Sequence, residues 1–174
     1  MTPRLGRGMC PDGALWQRLL LVAAGGVVAA ALVAPARAHA KLSDSDKTTL
    51  SVMALQWAID GGIADFKLLK DPSHLVVANF NLPKRAELHL PGREVTLLSL
   101  LRIQALADMQ GDFLYFRFDR LRGSERHATV AIALVWAVSA KSRTPYLSGG
   151  GATLEFEKRD GRWQLQPVTN RWMS

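Results

Sequence analysis

The chain has 174 residues, 48% hydrophobic and 21% charged, with a formal net charge of +7 and a single cysteine. One cysteine excludes an intramolecular disulfide framework, and the length suits one domain with its own core. Residues 1–40 hold four arginines against Asp12, so +4 of the charge belongs to the remainder, which solubility alone explains.

The first segment in chain order is a leader. Arg4, Arg7 and Arg18 precede an apolar run over residues 19–34, and Ala36-Arg37-Ala38 and Ala38-His39-Ala40 follow it. A basic front, an apolar middle and a small-x-small exit are the features of a secretory signal peptide. The run has 16 residues, fewer than the roughly 20 that a spanning helix needs, and Pro35 follows at once. Gly25-Gly26 weakens it further as a permanent helix. We therefore expect a signal peptide over 1–40, cleavage after Ala40, and a periplasmic or extracellular domain over 41–174. A retained inner-membrane anchor is the rival, and the membrane is a partner only in that case. The front is long for a signal, which makes Met9 an alternative start. Cys10 lies ahead of the apolar run, so it is not the acylated cysteine of a lipoprotein. It leaves with the leader, and stability then rests on packing alone.

Ser43, Asp44, Ser45 and Asp46 supply helix caps, and Leu50, Met53, Ala54, Trp57 and Ala58 recur at helical spacing. Val52, Leu55 and Ile59 widen that face, which predicts a helix wrapped by other structure. Gly61-Gly62 stops it, a further turn is expected over 65–69, and Asp71-Pro72 is a break. Residues 75–82 read as a strand ended by Pro83, and residues 87–90 form a short run between two prolines. Residues 94–98 read as a strand, followed by a helix from the Ser99 cap through Met109. Gly111 then suits a left-handed end.

Residues 112–121 alternate, with Leu114, Phe116 and Phe118 on one face. Residues 128–138 set Val130, Ile132, Leu134 and Trp136 opposite Ala131, Ala133 and Ala137. A three-residue turn at Gly123-Ser124-Glu125 would place Phe118 by Val130 and Phe116 by Ile132. The alanine face predicts a close-packed neighbour, most simply the first helix. Residues 153–158 and 162–168 form a hairpin joined by Asp160-Gly161, whose type I′ preference pairs Phe156 with Leu165 and Glu157 with Gln164.

The predicted order is α-β-β-α-β-β-β-β: an α+β fold with a curved, mainly antiparallel sheet around the N-terminal helix. This order, together with the closing FEKRDGRWQL of residues 156–165, resembles the nuclear transport factor 2-like superfamily over residues 44–168. The resemblance implies a cone-shaped fold, often with a pocket at its mouth. The cystatin-like arrangement of one helix on a curved antiparallel sheet is the rival. Ketosteroid isomerase and scytalone dehydratase belong to the superfamily, as do many noncatalytic domains. No position here matches the catalytic pattern of either enzyme, so none of their residues is carried over.

The three histidines of residues 41–174, His74, His89 and His127, lack HxH or HExxH spacing, so no metal and no cofactor are expected. Asp108 is the candidate catalytic carboxylate: it sits in the last turn of the second helix, where the dipole disfavours an anion. A solvated helix end is its plainer reading. Tyr115, Trp136 and Tyr146 are the candidate ligand-binding residues. Tyr115 is more simply a partly exposed strand residue, and Tyr146 lies with Pro145 and Leu147 in a rim before the Gly149-Gly150-Gly151 run. That run lacks the GK[ST] of a phosphate loop. Arg117, Arg120, Arg122 and Arg126 are diluted by Asp119 and Glu125, and nucleic acid is not an expected partner. Trp57, Trp136 and Trp163 are expected in the core, whereas Trp172 near the C-terminus must dock back or serve a contact.

Three function classes remain. The first is an exported noncatalytic domain that binds a small apolar ligand or a protein, a second copy of the chain included. The second is a cofactor-independent isomerase, dehydratase or hydrolase with a carboxylate at the cone mouth. The third is an inner-membrane-anchored component that resembles the type IV secretion proteins carrying this fold. An enzyme is the less expected outcome.

Overall fold

A computed structural model describes residues 41–63, 68–143 and 149–173. The leader over 1–40 and Tyr146 lie outside the described residues, as does most of the turn expected over 65–69. Among the described residues, two α-helices and seven strands follow one another as α1 (Asp44–Trp57), β1 (His74–Ala78), β2 (Glu94–Leu98), α2 (Leu100–Gln110), β3 (Phe113–Gly123), β4 (His127–Ala137), β5 (Gly150–Arg159), β6 (Arg162–Leu165) and β7 (Asn170–Met173). The fold is α+β, with a curled sheet of order β2-β1-β3-β4-β5-β6 and β7 added to β5.

Helix α1 starts where its cap chemistry allows. The Ser43 hydroxyl accepts from the Asp46 amide at 3.0 Å and donates to the Asp46 carboxylate at 2.8 Å, so an orphan N–H is satisfied. Leu50, Ala54, Leu55 and Ala58 recur on one side and are fully buried. A π-helical turn, Ala58–Gly62, ends the helix through Gly61, whose φ of +101° suits a residue without Cβ.

The helix lies on the inner face of the sheet, where Leu75, Val77, Phe116, Phe118, Ile132 and Leu154 form the main core. Phe116, Phe118 and Ile132 are fully buried there, and Trp136 packs against them half-buried. Helix α2 packs on the outer face, where Ile103 and Ala107 meet Ala78, Tyr115 and Ala137. The alanine side of β4 therefore faces α2 at Ala137, not α1 as expected. The large residues of β4 sit under the first helix, because burial of apolar area outweighs close approach there.

Pairing also departs from expectation at one end. Strand β1 pairs parallel with both β2 and β3, while β3-β4, β4-β5, β5-β6 and β5-β7 are antiparallel. Parallel neighbours need long crossovers, and residues 79–93 and the α2 segment supply them. The first strand stops at Ala78, short of the expected 82. The chain turns at Asn81, with φ +64°, and the Asn81 amide donates to the Phe118 and Asp119 carbonyls at 2.9 and 3.0 Å. Those carbonyls belong to a bulge in β3 between Phe118 and Arg120. A bulge leaves backbone groups unpaired, and the asparagine satisfies them.

The β3-β4 register is two residues from the expected one. Phe118 lies opposite Ile132, Phe116 opposite Leu134, and Gly123 opposite Ala128. The last pair, Gly123 and Ala128, encloses four residues, and the bulge then takes back one residue of the shift. A shift of two preserves which side chains share a face, so the large residues still meet. The β5-β6 hairpin is as expected, with Phe156 opposite Leu165 and Glu157 opposite Gln164. Asp160 and Gly161 take φ of +50° and +75° in its turn.

The C-terminal segment forms β7, a strand absent from the sequence reading. Trp172 pairs with Gly151, and its indole lies where a side chain on that glycine would stand. Gly151 is thus a regular member of β5, and Trp172 docks back.

Candidate functional site

The far end of α1 leaves a groove of about 770 Å³ between the helix and the β5-β6-β7 side of the sheet. Its size falls within the range of small-molecule sites. Val52, Met53, Gln56 and Trp57 form the helix wall, one turn of α1 rotated away from the buried Leu50-Ala54-Ala58 line. Phe156 of β5 and Leu165 of β6, partners across the hairpin, form the opposite wall, and Pro91 closes one side. The helix is therefore wrapped on one side only, and its second apolar face opens onto the groove.

Two glycines place the tryptophan. Gly61 ends the helix, and Gly62 lies so close to Trp57 that a Cβ there would meet both the indole and the Trp57 carbonyl. On the other side, the Arg171 guanidinium carbon stands 5.2 Å from the Trp57 ring centroid. Such a cation over an indole contributes about 0.5–1 kcal/mol at an exposed site. The groove's polar groups are Arg171, Gln56 and Asp60, and Gln56 Nε2 donates to Asp60 Oδ1 at 2.8 Å.

The near end of α1 is clamped. Lys158 Nζ and Trp163 Nε1 donate to Asp46 Oδ1 at 2.8 and 2.7 Å, and Lys158 Nζ also lies 5.2 Å from the Trp163 ring centroid. The Lys158 hydrogen bond, more than any other contact, lowers the Asp46 pKa to about 2; burial opposes it, and Trp163 and Ser43 assist. The cluster ties the start of the helix to the β5-β6 hairpin, so the walls meet at one end and part at the other.

A second cavity, about 790 Å³, is bordered by Ser73, His74, Glu87, His89, Arg93 and Glu94 among others. His74 Nδ1 lies 2.7 Å from Asp71 Oδ2, and its Nε2 lies 3.1 Å from Glu94 Oε2. The Asp71 hydrogen bond raises the His74 pKa, while Ser73 first and His74 second hold Asp71 at about 2. These side chains are more than half exposed, so the pairs are solvated surface contacts. Among the described residues, no group of three or more His, Cys, Asp or Glu is arranged to hold a metal ion.

The residues singled out from sequence lie elsewhere. Asp108 Oδ1 accepts from the Ala140 amide at 2.7 Å and from Gln104 Nε2 at 3.2 Å, which fastens α2 to the chain after β4. Tyr115 is buried in the outer core beside Ile103 and Ala107, not partly exposed, because α2 covers that face. Trp136 borders a cavity of about 260 Å³ with His74, Leu114 and Asp112, apart from the groove. Arg117 pairs with Asp119 within β3. Sequence patterning does not single out the groove residues Met53, Phe156, Leu165 and Arg171. The available signal was a helix too apolar for one buried face, ending in Trp57 and a glycine pair.

No protein-family model, curated protein or solved structure matches the chain.

Proposed function

We propose that this is an exported, noncatalytic binding domain that takes the apolar part of a small ligand into the groove beside Trp57. One observation carries the reading: Val52, Met53, Trp57, Phe156 and Leu165 surround an open space of about 770 Å³ instead of closing on one another. An apolar cleft with a few polar groups at its rim is the usual form of a ligand site. Binding is favoured over catalysis because the described side chains with displaced pKa values, among them Asp46, Asp71, His74 and Glu157, are paired outside the groove.

The proposal keeps the nuclear transport factor 2-like cone as its frame: a helix seated in a curled sheet, with a cleft at one end. Export belongs to it as well, on the strength of the basic front, the apolar run and the Ala-x-Ala exit. Among the described residues, no helix is long and apolar enough to cross a membrane.

Titration with the neutral apolar dye N-phenyl-1-naphthylamine tests the groove. Saturable one-to-one enhancement is expected, and Met53→Asp removes it while far-ultraviolet circular dichroism is unchanged. Equal enhancement in the variant would sink the reading. Mass spectrometry of the N-terminus after expression in an exporting host tests the address: a start at Lys41 supports export, and an intact leader indicates an anchor.

A further inference from the structure

The charges at the groove rim are unequal in what they have left to offer. Arg171 lies opposite Ala152, a fully buried residue of the inner core, so the register aims it to the groove side of β7. Its guanidinium rests over Trp57, and among the described residues it makes no ion pair. A guanidinium stacked on an aromatic ring still presents its N–H fork, which matches a carboxylate in two parallel hydrogen bonds. Asp60, the opposite charge at the rim, already accepts the Gln56 amide one helical turn away.

An anionic head arriving here meets an uncommitted cation at the edge of an apolar wall. A cationic head meets a carboxylate whose Oδ1 already accepts the Gln56 amide. Building on the ligand-groove reading above, we infer that the ligand is an amphipathic monoanion, an acyl chain or ring system ending in a carboxylate. Its apolar body lies against Met53, Trp57, Phe156 and Leu165, and its carboxylate docks on Arg171. The charge of the described domain favours the same sign, since Arg171 adds to a net positive chain.

Three probes of one chain length separate the contributions: dodecanoate, dodecanol and dodecyltrimethylammonium, each titrated calorimetrically below its micelle concentration. Dodecanoate is expected to bind about fivefold more tightly than dodecanol, the upper end for an exposed ion pair. Arg171→Met, which keeps an apolar stem on the strand, brings the two within about twofold by removing that pair, and Arg171→Lys retains most of the advantage. Raising the salt to about 1 M, where the Debye length is about 3 Å, narrows the gap in the parent protein. Equal binding of acid and alcohol, tighter binding of the ammonium probe, or an advantage that survives Arg171→Met would overturn the inference while leaving the groove intact. Binding of none of the three would remove the groove reading and the inference together.

Discussion

The two faces of the sheet solve the same packing problem in opposite ways. On the outer face, α2 rests on small residues, with Ile103 and Ala107 against Ala78 and Ala137. The chain after β4 is drawn over that side: Gln104 donates to the Val138 carbonyl, Asp108 accepts from Ala140, and Asp112 accepts from the Ser139 amide and Ser142 hydroxyl at 2.6 Å each. On the inner face, α1 stands on phenylalanines and branched residues, clamped at its start by Asp46, Lys158 and Trp163 and left apart from the hairpin at its end. Small residues let a helix approach closely and seal. Large ones set it off, and a helix tethered at one end leaves a wedge at the other. The lesson is that a cleft needs a firmly held far end as much as apolar walls.

The largest test of this contrast is Phe118→Ala. Removing a fully buried ring from the inner face is expected to cost about 3–5 kcal/mol by urea unfolding. A cost under about 1 kcal/mol would mean that the inner face is not close-packed. Next is a matched pair. Ala107→Leu, on the sealed side, should destabilise by about 1–3 kcal/mol through overpacking. Met53→Leu, on the open side, should change stability by less than about 1.5 kcal/mol. Equal costs would erase the distinction between the faces.

The smallest effect sharpens the clamp. The Asp46 pKa is depressed from 3.8 to about 2, so the folded state favours its ionised form. The stabilisation is therefore full above pH 3.8 and disappears as the pH falls through about 2. Allowing for its partial exposure, the pair contributes about 1–2 kcal/mol. Asp46→Asn should lower stability at neutral pH by that order and flatten the acid limb of the stability profile between those values. An unchanged acid limb would show that Asp46 does not carry the clamp.

Much of this architecture was legible in local chemistry. Ser43 and Ser99 do cap the two helices, residues 94–98 are β2 as read, and Asp160-Gly161 sets the β5-β6 register. These features depend on neighbours within a few residues. Gly111 follows α2 with a positive φ of +89°, as its place after the helix suggests, although its ψ of 179° lies outside the left-handed helical well. What stayed hidden depends on distant partners. The bulge in β3 is stabilised by Asn81, which lies 37 residues upstream of Phe118, and no local pattern announces it. Parallel pairing of β1 is a property of crossovers, not of strand composition. The groove was hidden for the same reason: Met53, Phe156 and Arg171 come from α1, β5 and β7, and each alone reads as core or surface. Strand β7 is only four residues long, with little alternation to count.

The outer edge of β5 is shared end to end by two short strands, β6 on Phe156–Arg159 and β7 on Gly150–Thr153. Peeling β7 away would therefore do two things at once. It would strip the guanidinium from the cleft, and it would bare half a strand of backbone donors and acceptors beside the small side of Gly151 and Ala152. Such an unguarded edge invites strand addition from another chain. On the proposed reading, ligand capture and resistance to clumping rest on the same four residues, and loss of this strand would forfeit both together.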